Sequence, residues 1–292
     1  MEGVVKLCRY NDDRLGVVID GNVHDITPVQ DEIVASSRRA MHGDPVIAVL
    51  PQWRQRMEDM ARRSGRVPIS QVRFLSPVAR PSKVMAAPVN YRKHIAEMQN
   101  RKDINIKFLP NIGDAGIFLK ANSSVVGPSE GIPIRFPERI TEHEAEVVLI
   151  IGKAGSDITR ERALDHVCGY CLGLDMTVRG SEDRSFRKSM DGYSVVGPWM
   201  VTADEIDDPD QLPFMLSVNG NVRQNSNTND LIFDIRKLIT FASQFYTLYP
   251  GDILYTGTPE GVGGVKAGDT ILMRSEPLGE MTVDVRAHRI ES

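Results

Sequence analysis

The segment Glu144-Ala145-Glu146-Val147-Val148-Leu149-Ile150-Ile151-Gly152 decides the fold, because it reads as a buried strand with two carboxylates at its mouth. Side chains of a strand alternate between its two faces, so Glu144 and Glu146 point the same way and could hold one cation between them. The same alternation places Glu142 on that face. Oxygen-only ligands favour a hard ion such as Mg²⁺, Mn²⁺ or Ca²⁺. A solvated edge strand with alternating glutamates is the ordinary alternative, and this segment alone does not exclude it.

Composition indicates an ordinary globular protein. The 292 residues carry a formal net charge of -4, whereas a phosphate-binding domain usually has a clear basic excess. No apolar run approaches the ~18 residues that cross a bilayer, and the start of the chain lacks the basic-then-apolar order of a signal peptide. We therefore expect a cytoplasmic protein that contacts neither nucleic acid nor a membrane.

Three cysteines, Cys8, Cys168 and Cys171, are too few for a disulfide framework, which agrees with a reducing compartment. Cys168 and Cys171 form a Cys-x-x-Cys pattern, which can be half of a zinc site or a redox pair. A structural zinc would need a second pair of ligands at matching spacing, and the sequence holds none. Residues 163–167 are typical of an amphipathic helix that enters the core, so core packing is the favoured interpretation.

The chain divides at a proline-bearing stretch, residues 65–83. Before it, three short strands are followed by a helical pattern over residues 28–64. We place a small N-terminal domain at residues 1–78 and the main domain at residues 79–292.

The second part of the chain is rich in strands. Short apolar runs separated by glycine and proline predict these strands, and helices are predicted near residues 159–168, near residues 234–247 and just after Tyr91. The fold class that follows is α+β, with a β-rich main domain and a small N-terminal domain that combines strands and helices.

His94 and Glu97 lie three positions apart in the segment expected to be helical, where this spacing puts both on one face. The carboxylate can then orient the imidazole, which makes a general base for activating water. The neighbouring Arg92 and Lys93 could hold a substrate carboxylate. An ordinary surface charge pair is the alternative interpretation.

Further candidates lie later in the chain. Asp175 is an isolated acid in an apolar run and would complete a three-carboxylate set, although an aspartate that caps a turn is equally ordinary. Lys188 could stabilise an enolate, unless it belongs to a solvated charged loop. Residues 256–264 are similar to an anion-holding nest of backbone N–H groups. They lack the ending of a nucleotide P-loop, so we discount ATP and GTP.

Taken in order, these segments resemble the fumarylacetoacetate hydrolase family over most of residues 84–292. Each motif is weak alone, and the resemblance rests on their joint presence at residues 90–97, 118–120, 126–128, 142–146, 151–153, 174–175, 187–189, 197–199, 218–220, 223–224, 250–252 and 256–259.

The resemblance implies a β-rich α+β fold with mixed β-sheets rolled around a metal site, often preceded by a small N-terminal domain and usually a homodimer. It also implies one divalent ion, Mg²⁺ or Mn²⁺, on an acidic triad that matches Glu144, Glu146 and Asp175. The catalytic residues that it implies are His94, Glu97 and Lys188, with the His-Glu pair on a segment that orders over bound substrate. Substrate binding is assigned to Arg92, Lys120, Gly257 and Thr258.

The chemistry implied is hydrolysis of a carbon–carbon bond in a 1,3-diketo acid such as an acylpyruvate, a small-molecule keto acid. In this scheme the α-keto acid end binds the metal, and His94, held by Glu97, takes a proton from the attacking water. Pyruvate then leaves as its enolate, which the metal and Lys188 stabilise.

Departures from the family pattern leave the substrate open. Many members carry Arg-Asp followed closely by Gln after the metal-binding aspartate, whereas this chain reads Arg179-Gly180-Ser181-Glu182. A glutamate there would disfavour a second carboxylate on the substrate unless Arg184 or Arg187 compensates. His143 and the stretch 190–193 also replace commoner residues.

Two other functions compete with the hydrolase. The same metal-enolate site suits a lyase or isomerase on a 2-keto acid, such as a decarboxylase, dehydratase or tautomerase, and fold analogy does not separate these. A non-enzymatic binding protein is the third possibility, and the joint presence of ligands, base and lysine argues against it.

Overall fold

The computed structural model describes residues 6–37, 42–100 and 112–288. Within these ranges the chain forms twenty strands and six α-helices, joined by loops and short 3-10 helices. The helices are α1 (Thr27–Ser36), α2 (Pro45–Arg63), α3 (Arg92–Asn100), α4 (Ile112–Ala115), α5 (Arg184–Lys188) and α6 (Ile235–Ser243). The strands are β1 (Lys6–Tyr10), β2 (Arg14–Ile19), β3 (Asn22–Asp25), β4 (Arg66–Pro68), β5 (Phe74–Leu75), β6 (Val84–Ala86), β7 (Phe118–Lys120), β8 (Val125–Val126), β9 (Ile132–Ile134), β10 (Thr141–His143), β11 (Ala145–Ile151), β12 (Val167–Asp175), β13 (Thr177–Val178), β14 (Ser194–Thr202), β15 (Pro213–Val218), β16 (Asn221–Asn227), β17 (Ile253–Tyr255), β18 (Gly263–Val265), β19 (Thr270–Ser275) and β20 (Gly279–Ala287).

Three sheets organise these strands. The largest has twelve strands in the order β4-β3-β2-β1-β14-β12-β11-β17-β6-β7, with β5 paired to β1 and β8 paired to β14. A five-stranded sheet has the order β16-β15-β19-β20-β9, and a three-stranded sheet has the order β13-β10-β18. Both parallel and antiparallel pairs occur, as in the β-rich α+β fold that the sequence predicts.

The N-terminal strands belong to the large sheet. Strand β1 pairs antiparallel with β14, and Lys6 lies opposite Val201 in that register. Backbone hydrogen bonds therefore run without a break from the N-terminal strands into the part of the sheet that carries the candidate site. The domain boundary after residue 78 stays a prediction.

Strand β11 runs through the middle of the molecule, with all seven of its residues buried. Val147 and Leu149 face one hydrophobic core, which includes side chains of α6 and the five-stranded sheet. Val148 and Ile150 face a second core, which α1 and α2 cover. Full burial of such a side chain stabilises the fold by about 1.5–3 kcal/mol. The strand is thus apolar on both faces, as its sequence predicts, and only its start carries charge.

Helix α6 has a strong N-terminal cap. Oδ1 of Asp234 accepts a hydrogen bond from the Lys237 backbone N–H at 2.8 Å. The same carboxylate accepts two bonds from the Arg160 guanidinium, at 2.7 and 2.6 Å. The helix predicted over residues 234–247 is confirmed, although it ends at Ser243.

One helix prediction needs correction. The helix expected near residues 159–168 is a 3-10 helix, Arg160–His166, and β12 begins immediately after it. Pairing with β11 and β14 extends the chain from Val167 onward, so Cys168 and Cys171 lie on a strand and pack against the second core. The helical pattern over residues 28–64 corresponds to two helices, α1 and α2. None of the described helices is long and apolar enough to cross a membrane.

Candidate metal and active site

Three buried carboxylates, those of Glu144, Glu146 and Asp175, converge at the start of β11. One oxygen from each lies within 4.8 Å of the others. The register of the sheet creates this cluster, because the Asp175 backbone N–H donates to the Glu144 carbonyl oxygen at 3.0 Å. The last residue of β12 is thereby held beside the residue that precedes β11. The three ligands predicted from sequence therefore lie together.

Glu142 lies close to this triad but is not part of it. Strand β10 ends at His143, and Glu144 occupies the break before β11. The Glu142 carboxylate accepts a hydrogen bond from Nε of Arg179 at 2.6 Å. Arg179 also lies 4.0 Å from Glu144. The guanidinium thus neutralises Glu142, which leaves three carboxylates for a cation.

Two buried lysines face the triad. Nζ of Lys188, at the end of α5, donates to Oε2 of Glu144 at 2.5 Å and to Oδ2 of Asp175 at 2.8 Å. Nζ of Lys120, on β7, donates to Oδ1 of Asp175 and to the Tyr193 carbonyl oxygen. Lys188 thus contacts two of the three triad carboxylates, and its assignment as a catalytic residue stays a prediction. Lys120 is in contact with Asp175, and its assignment to substrate binding stays a prediction.

The carboxylates of the triad differ in their electrostatics. Burial opposes ionisation of Glu144, but the charges of Lys188 and Arg179 outweigh it and lower its pKa to about 2. Burial, with the charges of Asp175 and Glu144, raises the pKa of Glu146 well above its ordinary value. A cation among the three would relieve this repulsion.

The donor set fits a hard divalent ion. All three side chains offer carboxylate oxygens, which Mg²⁺ and Mn²⁺ prefer. Because burial and the charges of Asp175 and Glu144 raise the pKa of Glu146, a cation bound there would favour ionisation of all three acids. Glu144, Glu146 and Asp175 are therefore the residues that would hold the ion.

His94 and Glu97 form the pair that their spacing predicts. His94, on α3, is only 6% exposed, and its Nδ1 lies 3.0 Å from Oε2 of Glu97. The other oxygen of Glu97 accepts a hydrogen bond from the Gly261 backbone N–H at 2.9 Å. The loop that donates to Glu97 through Gly261 also donates to Glu146 through Gly257, so one loop contacts both the pair and the triad. Arg92, on the same helix, is exposed, and its assignment to substrate binding stays a prediction.

The loop that follows β17 contacts both the carboxylate triad and the start of β11. The Gly257 N–H donates to Oε2 of Glu146 at 2.5 Å. Gly257 has a φ of 103°, and a Cβ there would lie 2.7 Å from the Cβ of Asn90, so glycine is required. The Thr258 hydroxyl donates to the Ala145 carbonyl oxygen at 3.0 Å. Gly257 and Thr258, which were expected to bind a substrate anion, thus donate to Glu146 and Ala145 of β11. Their role in substrate binding stays a prediction.

Gln224 is a supporting residue to which the sequence interpretation assigns no role. Its Oε1 accepts from the Ala145 N–H at 3.0 Å, and its Nε2 donates to the Pro259 carbonyl oxygen at 3.0 Å and to the Thr258 hydroxyl. His143 Nδ1 also lies 3.0 Å from Oε1 of this amide. The Gln224 side chain thereby links the start of β11 to the loop that follows β17. Gln224 is the one buried residue of β16. That strand therefore shows no regular alternation of buried and exposed residues from which the burial of Gln224 could be predicted.

Comparison with known proteins places the chain among related enzymes. A family model described as fumarylacetoacetate (FAA) hydrolase C-terminal matches residues 83–286. A maleylpyruvate hydrolase of Aquipseudomonas alcaligenes is 46% identical over 287 residues, which are 97% of this chain and 100% of that protein. A mitochondrial oxaloacetate tautomerase of Xenopus laevis is 39% identical over 228 residues, which are 73% of this chain and 68% of that protein.

A solved structure shares the fold. The crystal structure of a maleylpyruvate hydrolase from Sphingobium sp. SYK-6, in complex with manganese(II) and pyruvate, aligns with a TM-score of 0.81 at 38% identity. The alignment covers 97% of this chain and 100% of that one. The β-rich α+β fold predicted from the sequence is confirmed.

Proposed function

Because the chain belongs to the fumarylacetoacetate hydrolase family, we propose that it hydrolyses a carbon–carbon bond in an acylpyruvate or a related 2,4-diketo acid, using one divalent metal ion. The observation that carries the proposal is that one loop contacts both the His94–Glu97 pair, through Gly261, and the carboxylate triad, through Gly257. A base for water and a site for an enolate are thus held by the same loop. Maleylpyruvate, the substrate for which two relatives are named, is the first candidate.

Mg²⁺ or Mn²⁺ held by Glu144, Glu146 and Asp175 would supply Lewis-acid stabilisation of negative charge at the 2-keto acid end of the substrate. The chain's own residues perform the proton transfers. Glu97 accepts from Nδ1 of His94, so the other ring nitrogen, Nε2, keeps its lone pair and serves as the base.

The reaction consumes one water. His94 takes a proton from it as its oxygen bonds to the carbonyl carbon at C4, on the acyl side. The bond between C3 and C4 then breaks, its electron pair stays on C3 of the pyruvate enolate, and the acyl group leaves as a carboxylic acid. Lys188, which contacts Glu144 and Asp175, would stabilise the enolate charge through its ammonium. The imidazolium of His94 then returns its proton to C3, which completes pyruvate and restores the base.

A tautomerase acting on a 2-keto acid is the second candidate, because a relative 39% identical to this chain is named an oxaloacetate tautomerase. That reaction moves a proton between carbon and oxygen and consumes no water. The retained His94–Glu97 pair favours the hydrolase, since an imidazole oriented by a carboxylate suits the activation of water.

Assembly and location are proposed on separate grounds. We infer a homodimer from the habit of the family, and light scattering of the purified protein tests it. Cys8, Cys168 and Cys171 are free thiols, which suits the cytoplasm.

The proposed function is tested by following the enol absorbance of maleylpyruvate and acetylpyruvate, with oxaloacetate in parallel. The protein is first treated with chelator and then given Mg²⁺ or Mn²⁺. We expect metal-dependent loss of absorbance, with pyruvate and the matching carboxylic acid in equal amounts. Turnover of oxaloacetate alone would support the tautomerase instead.

A further inference from the structure

Two arginines lie beside the triad, on the segment that joins Asp175 to Lys188. Arg179 is engaged by Glu142 through its Nε, at 2.6 Å. Arg187 is half-buried on α5, one residue before the lysine whose Nζ contacts Glu144 and Asp175. Its Nε donates to the Glu182 carbonyl oxygen at 2.9 Å. That bond uses Nε of the guanidinium and not its two terminal nitrogens.

The charge of Arg187 is not neutralised by the nearest acid of its own loop. The Glu182 carboxylate is bound bidentately by Arg139, at 3.0 and 2.8 Å. Within residues 6–37, 42–100 and 112–288, no carboxylate forms an ion pair with Arg187. Glu182, which was expected to oppose a second carboxylate on the substrate, is thus already paired.

Arg187 also lies among charges of both signs. Burial and the neighbouring charges of Arg179 and Arg184 lower its pKa, against the opposing charges of Glu144 and Glu182. A half-buried guanidinium next to other cations is costly unless an anion accompanies it. Arginine binds carboxylates through paired N–H donors, and its terminal nitrogens suit such a ligand. Arg184 is placed differently, since its guanidinium lies over the Phe118 ring at 5.4 Å.

We propose that Arg187 binds a second carboxylate at the acyl end of the substrate, so that the enzyme prefers dicarboxylic 2,4-diketo acids. The inference rests on the proposed function and identifies the residue that selects among its substrates. Arg139 has a supporting part, because it keeps the Glu182 carboxylate away from Arg187.

The test compares kcat/KM for maleylpyruvate, which has two carboxylates, with kcat/KM for acetylpyruvate, which has one. The variants are Arg187→Met, Arg187→Lys and Arg139→Met, with Arg184→Met as the matched control. A charge-assisted hydrogen bond predicts a wild-type preference for maleylpyruvate, and in Arg187→Met the ratio of the two values falls about 10- to 100-fold, mainly through KM. Arg187→Lys restores part of the ratio, and Arg184→Met retains it.

If Arg187→Met does not fold, Arg139→Met still tests whether Arg187 binds the second carboxylate. Release of Glu182 is expected to lower the same ratio, because its carboxylate then competes for Arg187. An equal fall for both substrates would place Arg187 at the 2-keto acid end and overturn the inference, as would an unchanged ratio in both variants. A wild-type protein that hydrolyses neither substrate would refute the proposed function itself, whereas a wild type active on acetylpyruvate without preference would refute only the carboxylate subsite.

Discussion

Nδ1 of His94 lies 3.0 Å from Oε2 of Glu97, and the other oxygen of that carboxylate accepts a hydrogen bond from Gly261. A carboxylate can only accept here, so Nδ1 carries the proton and Nε2 is the basic nitrogen. The backbone bond to Gly261 holds Glu97 in place. The structure therefore specifies both the tautomer and the orientation of the proposed base.

Glu97→Gln tests that relationship. An amide nitrogen facing Nδ1 would favour the opposite tautomer, so we expect kcat for acylpyruvate hydrolysis to fall about 100-fold with a small change in KM. Steady-state kinetics measure this, and Glu260→Gln on the neighbouring loop is the control. Full activity in Glu97→Gln would mean that the pair does not activate water.

Removal of one triad carboxylate should abolish tight metal binding. We expect Asp175→Asn and Glu144→Gln each to weaken Mn²⁺ binding by about 100-fold or more, because an oxygen ligand and a negative charge are lost together. Isothermal titration measures the affinity. Asp191→Asn, at an exposed acid outside the triad, should bind as the wild type does. Equal affinity in all variants would show that the ion binds elsewhere.

Lys120→Met should destabilise the protein. Its ammonium is buried against Asp175, and its loss leaves Lys188 as the one lysine that contacts the group of three buried carboxylates within the described residues, so we expect the free energy of unfolding in chelator to drop by about 3 kcal/mol. Mn²⁺ should reduce that loss by supplying a replacement positive charge. Urea unfolding with and without metal measures both effects, and Lys153→Met, at an exposed site, is the control. A loss no larger than that of the control would contradict this description of the pocket.

The cap of α6 should show a defined pH dependence. The hydrogen bond from Arg160 lowers the pKa of Asp234 against the opposing effect of burial. A lowered pKa in the folded state contributes stability that is complete above the unfolded pKa, about 3.9, and is lost as the pH falls through the folded value. Asp234→Ala should therefore cost about 1 kcal/mol at pH 7 and progressively less below pH 4. Asp234→Asn retains a capping oxygen, so it should lower the free energy of unfolding by less. Urea unfolding at a series of pH values measures both variants. A cost that does not change with pH would contradict the role of the charge.

Local patterns in the sequence predict the strand and the triad. Alternation predicts that Glu144 and Glu146 point the same way, although Glu144 lies just before β11, and the apolar run predicts a strand buried on both faces. The acidic residue in an apolar segment also identifies Asp175. These features depend on residues close together in the chain, where periodicity is informative.

Contacts between distant segments are not predicted by local pattern. Lys120 meets Asp175 across 55 positions, and Gln224 meets Ala145 across 79. Residues 163–167 resemble a helix, but pairing of β12 with β11 and β14 extends the chain from Val167. In β12, strand pairing overrides the local helical propensity.

The most direct test of hydrolysis is the fate of the water oxygen. Maleylpyruvate is turned over by the Mn²⁺-loaded protein in ¹⁸O-labelled water, and the acid that is released is examined by mass spectrometry. We predict one ¹⁸O atom per molecule in a carboxyl group of the released maleate, with pyruvate formed in equal amount. Consumption of the substrate enol without a labelled acid would contradict the hydrolase and support proton transfer alone.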